Sequence, residues 1–177
     1  MIVVQTERLM LRHVAADDAA FVLRLLNEPS FLRFIGDRGV RTLDDARAYI
    51  ADRFTASYER YGFGMWIVER RGVGGPLGIS GIVRRDTLPG PDIGFAFLPE
   101  HWGQGYALES ARAVRDHAFG PLGLRRLLAI ANPNNAPSIR ILEKIGMALL
   151  ERRALAEGAP PVCVYAVDTP AESTSER

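Results

Sequence analysis

Pro99-Glu100-His101-Trp102-Gly103-Gln104-Gly105-Tyr106-Ala107 joins a strand-like run to a helix-like one, and this junction limits the possible folds more than any other stretch. Before it, Asp92-Ile93-Gly94-Phe95-Ala96-Phe97-Leu98 is rich in β-formers. After it, Leu108, Ala111, Val114 and Ala118 recur three or four apart, as on one face of a helix. A helix that opens there presents backbone N–H groups without partners and a partial positive charge, which suits an anion. Glycines let a phosphate approach the main chain closely. The same two glycines also suit a plain tight turn, so spacing alone leaves both uses open. Two phosphate loops do not fit the letters. A P-loop ends in Gly-Lys-Ser/Thr, whereas Gly105 is followed by Tyr106-Ala107. A dinucleotide fingerprint places a third glycine where Leu108 stands, and the preceding segments are hairpin-like instead of opening a βαβ unit.

The rest of the chain supplies the elements around this junction. Residues 6–14 predict a strand in which Leu9 and Leu11 alternate with Arg8, Met10 and Arg12. Asp17-Asp18 predict the start of a helix carrying Phe21, Val22, Leu25 and Leu26, ended by Pro29. Thr42, with Asp44 and Asp45 behind it, predicts a second helix start, and Ala46, Tyr49, Ile50, Phe54 and Tyr58 carry that helix to Tyr61-Gly62. Residues 63–69 and 77–83 read as strands joined through Arg71-Gly72-Val73-Gly74-Gly75-Pro76. The run 126–131 is apolar almost throughout and predicts a strand buried on both faces. Asn132-Pro133-Asn134-Asn135 then turns into a short helix with Ile139, Leu142 and Ile145 on one side and a stop at Gly146. Strands near 148–154 and over 162–168 follow, and the polar residues 169–177 are expected to be disordered. There is no internal repeat and no linker long enough to separate two cores. The expectation is one mixed α/β domain over residues 1–168, built on a single sheet.

Composition narrows the function classes. With 47% hydrophobic and 24% charged residues, the 177-residue chain matches an ordinary globular protein. It contains no apolar run long enough to cross a membrane and no secretory leader pattern, so a cytoplasmic location is expected. A net charge of +1, with no interleaving of basic and aromatic residues, argues against a nucleic-acid-binding module. Lys144 is the sole lysine, an arginine bias that fits a GC-rich genome better than phosphate recognition. Cys163 stands alone, which excludes an internal disulfide, and its setting reads as buried filler. His13, His101 and His117 show no metal-ligand spacing.

Trp102-Gly103-Gln104-Gly105-Tyr106-Ala107 resembles the coenzyme A loop of the GNAT superfamily of acetyltransferases, a Gln/Arg-x-x-Gly-x-Gly/Ala pattern after a central strand. It departs at the first position, where tryptophan stands, a variant similar to the RimJ/RimL-type branch. Thr6-Glu7-Arg8-Leu9-Met10-Leu11-Arg12, Leu108-Glu109 and Asn135-Ala136-Pro137-Ser138-Ile139-Arg140-Ile141-Leu142-Glu143-Lys144-Ile145-Gly146-Met147 match in the same order. The resemblance spans residues 5–168. It implies a GNAT fold, α/β (α+β), with a central mixed, mostly antiparallel sheet splayed at its middle and flanked by helices. It also implies acetyl-CoA as cosubstrate and an amine acceptor, either a protein N-terminus or a small molecule. The pantetheine arm would pair with backbone from Phe95 through Phe97 to Leu98. The pyrophosphate would rest on Gly103, Gln104, Gly105, Tyr106, Ala107 and Leu108. Asn135 would either touch the coenzyme or cap the helix beside it.

In this family the neutral amine attacks the thioester directly, without an acyl-enzyme. The backbone N–H of Phe97 or Leu98 would face the oxyanion. Ser138 is either the general acid or a first-turn serine bonding locally. Glu100, His101, Asp92 and Glu157 are unranked positions for a general base. At pH 7 a lysine with pKa ~10.4 loses its proton at a cost of about 4.6 kcal/mol, against about 1 kcal/mol for an α-amine near 7.8. The lack of an obvious base therefore tilts the expected acceptor toward an α-amino group or a low-pKa amine. Phe31, Phe34, Trp66 and Tyr106 fit the core better than an acceptor pocket. The competing class is a catalytically silent acetyl-CoA-binding sensor module. Either a monomer or a homodimer is compatible with the sequence.

Overall fold

Short apolar-rich segments collect into one eight-stranded sheet, and the computed structural model describes residues 1–171. The strands are β1 (Ile2–Gln5), β2 (Leu9–His13), β3 (Met65–Arg70), β4 (Pro76–Val83), β5 (Asp92–Phe97), β6 (Arg126–Ala131), β7 (Ala148–Arg153) and β8 (Val162–Asp168). Their spatial order is β1-β2-β3-β4-β5-β6-β8-β7, and every neighbouring pair is antiparallel except β5 with β6. The strand expected over residues 6–14 is shorter than its pattern. The chain turns at Thr6, whose N–H donates to the Leu9 carbonyl at 2.9 Å, and β1 precedes that turn.

The register between β5 and β6 holds one pair, Asp92 opposite Leu128, reinforced by the Leu128 N–H donating to the Pro91 carbonyl at 2.9 Å. Past that rung the two strands carry no paired residues, and the sheet opens. On its other side β5 is laddered to β4 along its length. There β4 needs glycine, because a Cβ on Gly78 would lie 2.4 Å from the Ala96 carbonyl oxygen. Glycine is used here for close approach of backbones.

The helices are α1 (Ala19–Leu26), α2 (Pro29–Phe34), α3 (Leu43–Tyr49), α4 (Ala56–Tyr61), α5 (Tyr106–Phe119) and α6 (Ala136–Lys144). Pro29 does not simply end a helix; it begins α2, where its missing N–H needs no partner. Thr42 is the helix start expected of it. Its hydroxyl accepts the Asp45 N–H and the Asp45 carboxylate accepts the Thr42 N–H, each at 3.0 Å. The helix from there to Tyr61 is continuous but widens to π geometry over Ile50–Thr55. At the end of α6, Gly146 at φ 92° donates to Glu143 and Met147 to Leu142, each at 3.0 Å, closing a Schellman motif.

Two layers cover the sheet. Val22, Leu25, Leu26, Phe31, Ala46, Ile50 and Phe54 of the first four helical segments pack on Ile67, Ile79 and Leu98. On the opposite face Ala111, Val114 and Ala118 of α5 and Leu142 of α6 pack on Leu9, Leu11, Trp66, Val68 and Leu127. Each fully buried Val, Leu, Ile or Phe among them contributes roughly 1.5–3 kcal/mol, the alanines less. Phe31, Trp66 and Tyr106 are core, Phe34 is half-buried, and Cys163 is 2% exposed in β8. The expectation for β6 holds: Leu127 and Ala129 face α5, while Leu128 joins Leu88 and Val164 on the other side. The end of the chain expected to be disordered lies mostly outside the described residues. Among the described residues no helix is long and apolar enough to cross a membrane.

Candidate active site

Because β5 and β6 run parallel, the helices that follow them, α5 and α6, both begin at the same end of the opening. The chain leaves β5 through a 3-10 turn, Pro99–His101, and reaches α5 through Gly103 at φ 72° and Gly105 at φ 80°. L-residues seldom take that left-handed conformation, so both positions favour glycine. The first bond inside α5 runs from the Glu109 N–H to the Gly105 carbonyl at 3.0 Å. The N–H groups of Tyr106, Ala107 and Leu108 consequently have no carbonyl partner within the helix. Fourteen residues of aligned peptide dipoles stand behind them.

Two motifs that are separate in sequence meet here. The Glu109 carboxylate accepts from the Thr6 hydroxyl at 2.6 Å, from the Arg8 N–H at 3.0 Å and from Arg8 Nε at 2.6 Å. Arg8 Nη1 donates onward to the Gln104 carbonyl at 2.8 Å, and the guanidinium lies 4.8 Å from the Tyr106 ring centre. The β1–β2 turn thereby braces the glycine loop. Burial pushes the Glu109 carboxyl up, but the donors from Thr6 and Arg8 prevail and hold it below the usual glutamate range. Gln104 itself is exposed, with its side-chain amide 3.4 Å from the Glu100 carbonyl.

The backbone of β5 divides by parity. The Leu98 N–H donates to the Leu77 carbonyl at 3.0 Å. Antiparallel ladders alternate, so the polar groups of Ala96 and Leu98 turn to β4 and those of Phe95 and Phe97 turn to the opening. This corrects the expectation that the Leu98 N–H is freed by the splay: β4 takes it, and only the Phe97 N–H faces the opening. The Phe97 carbonyl is engaged as well, accepting Trp102 Nε1 at 2.9 Å. The Phe95 and Phe97 side chains lie with the α5 layer, and Ala96 and Leu98 lie with the α1–α4 layer.

At the start of α6, the Asn135 Oδ1 accepts the Ser138 N–H at 3.4 Å, so Asn135 does cap the helix; its Nδ2 takes no part in that bond. Ser138 is half-buried in the first turn, and its bond to the cap is through the backbone.

The positions considered for a base are not brought together. Asp92 is 1% exposed and is held by Arg85 Nε at 2.8 Å and Nη2 at 3.0 Å. Burial pushes its carboxyl up against the pull of Arg85, and it sits at the closed end of the opening, away from the helix starts. Glu100 is exposed and paired with Arg24 at 2.7 Å; its own backbone N–H and Arg24 hold its carboxyl down. His101 is half-buried in the 3-10 turn, and Glu157 is exposed between β7 and β8. Among the described residues no group of three or more His, Cys, Asp or Glu side chains could hold a metal.

This geometry has relatives. Residues 8–148 match the family described as acetyltransferase (GNAT) domain. A Bacillus subtilis (strain 168) protein designated uncharacterized protein YkkB is 32% identical over 164 residues, covering 90% of this chain and 92% of its own. The solved acetyltransferase from Agrobacterium tumefaciens str. C58 superimposes with a TM-score of 0.79 at 28% identity, covering 94% of both chains. RimL, a ribosomal L7/L12 alpha-N-protein acetyltransferase solved with coenzyme A, superimposes with a TM-score of 0.81 at 16% identity over 95% of this chain and 98% of its own, a likeness of fold. The chain thus belongs to the GNAT acetyltransferase family and is an acetyl-transferring enzyme.

Proposed function

We propose that the protein moves the acetyl group of acetyl-CoA to an amine by direct attack within a ternary complex. One observation carries the reading: a parallel strand pair joined at a single rung, with two helix N-termini at its open end. The residues suit the coenzyme. The N–H groups of Tyr106, Ala107 and Leu108 match a diphosphate, and no side chain of Gly103 or Gly105 stands in its way. The outward backbone groups of Phe95 offer partners to an amide-bearing arm, and Asn135 Nδ2 is a further donor. Leu98, whose N–H is taken by β4 and whose side chain is buried in the α1–α4 layer, supports the strand end without offering the coenzyme a donor. When bound, acetyl-CoA supplies a thioester carbonyl as the electrophile.

The Phe97 N–H is the donor placed for negative charge developing on the acyl oxygen. The Ser138 hydroxyl gives a proton to the leaving sulfur and is restored by the proton that the attacking nitrogen loses, so the products are the acetylated amine and a free thiol. Ser138→Ala is expected to lower kcat on the order of tenfold. That is less than most acid catalysis, because a thiol with pKa near ~8.5 leaves comparatively well without help. Acetyl-CoA affinity by calorimetry stays at the wild-type value; an unchanged kcat removes Ser138 from the reaction.

Asp92 and Glu100 are both committed to arginines. This supports an acceptor that becomes neutral unaided, an α-amino group or a low-pKa small amine. The α-N-protein activity named for RimL is consistent with that choice. The test is mass-shift screening with acetyl-CoA against N-terminal peptides, small amines and internal-lysine peptides. Modification of internal lysines alone overturns the acceptor class. Calorimetric binding of acetyl-CoA with no acetylated product overturns transfer and leaves a sensor module.

A further inference from the structure

We infer that Trp102 is a positioning residue: its indole N–H replaces the rung that β6 does not supply at the end of β5, and so fixes the direction of the Phe97 N–H. The inference rests on the acetyl-transfer reading for what that N–H does, but the contact itself is a feature of the protein without coenzyme.

β5 has a ladder partner on the β4 side throughout, and on the β6 side only at Asp92. The outward carbonyl of Phe97 therefore has no strand to accept from, and Trp102 Nε1 donates to it at 2.9 Å. The same peptide unit contains the Leu98 N–H, bonded to Leu77 at 3.0 Å. A peptide unit is planar, so hydrogen bonds at its two ends fix its orientation. With that plane fixed and Ala96 laddered to β4, Phe97 has little freedom to rotate its own N–H away from the opening. Packing does not explain the indole. Trp102 is 54% exposed, whereas the chain's other tryptophan, Trp66, is 1% exposed in the core.

Two replacements separate the donor from the ring. Trp102→Phe keeps an aromatic side chain. Site-specific incorporation of the benzothienyl isostere keeps the bicyclic shape and puts sulfur in place of the N–H. In the protein without coenzyme, amide hydrogen exchange at Leu98 is expected to quicken about tenfold in both. In turnover, kcat is expected to fall about tenfold, less than the loss of a direct oxyanion donor, while KM and Kd for acetyl-CoA change less than about twofold. Trp66 fluorescence reports whether the core is intact. Wild-type exchange at Leu98 in both variants overturns the proposal, as does wild-type kcat. A raised KM with kcat unchanged also overturns it, since the indole then contacts the coenzyme instead of orienting Phe97. If the wild-type protein does not consume acetyl-CoA, the acetyl-transfer reading has failed, and the exchange experiment alone decides whether the indole pins the strand end.

Discussion

Gly105→Asp is expected to weaken acetyl-CoA binding by at least about 100-fold in calorimetry while the protein remains folded. A left-handed backbone costs an L-residue roughly 1–2 kcal/mol. Asp is a favourable residue at the first position before a helix, and that offsets part of the strain. The new Cβ would lie 3.2 Å from Arg8 Nη2, the far end of a flexible side chain that can yield. The loss of binding comes instead from the carboxylate. It accepts from the same α5 amides that the diphosphate needs, and two like charges about 4 Å apart at an effective dielectric near 20 repel by roughly 4 kcal/mol. Gly105→Ala carries the strain without the charge and is expected to lose less than about thirtyfold, since the strain itself is only about 1–2 kcal/mol. If the alanine variant loses as much as the aspartate variant, strain is the cause and the charge argument goes. If the aspartate variant binds like wild type, the loop is not the diphosphate site.

What could be read from the chain before folding was mostly periodicity and punctuation. The helix start at Thr42, the stop at Gly146 and the strand Arg126–Ala131 were legible because each depends on residues adjacent in sequence. Ile2–Gln5 leaves no clear signal: four residues are too few for an alternation to stand out, and the turn that separates them from β2 is made by Thr6, not by glycine or proline. Pro29 is ambiguous in sequence, because the residue that stops one helix is equally suited to open the next. The π segment Ile50–Thr55 keeps the apolar spacing of an α-helix closely enough to hide.

For the site, the glycine loop and the Asn135 cap were visible, whereas parity along β5 was not. Whether Phe97 or Leu98 faces the opening depends on the register with β4, a pairing between residues twenty positions apart. The contact of Trp102 with Phe97 follows from the same register. Thr6, Arg8 and Glu109 belong to two separate sequence motifs about a hundred residues apart, and only the packing of α5 against β1 and β2 joins them.

That junction carries the second large effect. Glu109→Ala is expected to lower the unfolding free energy by about 3 kcal/mol, since it removes three hydrogen bonds to a carboxylate, the one from Thr6 partly buried and the two from Arg8 exposed and worth less. In a chain of this size that corresponds to a fall in Tm of roughly 6–12 °C. Arg8 also loses the partner that holds it against the Gln104 carbonyl, so acetyl-CoA affinity should fall with stability. The effect has a pH signature. Burial works to raise the Glu109 carboxyl, the Thr6 and Arg8 donors outweigh it, and the folded-state pKa lies below its ordinary value of 4.5. A carboxylate of this kind stabilises fully above the unfolded-state pKa, and its contribution disappears as pH falls through the lower folded-state value. The stability difference between wild type and Glu109→Ala should therefore be largest at neutral pH and shrink on acidification below about 4.5. Other carboxylates held low, such as Asp18, titrate in both proteins and cancel in the difference. Urea unfolding of the pair from neutral to acid pH tests this. A difference that stays constant across the range means that the carboxylate charge does not hold the brace, and a Tm within about 2 °C of wild type means that the brace adds little to the fold.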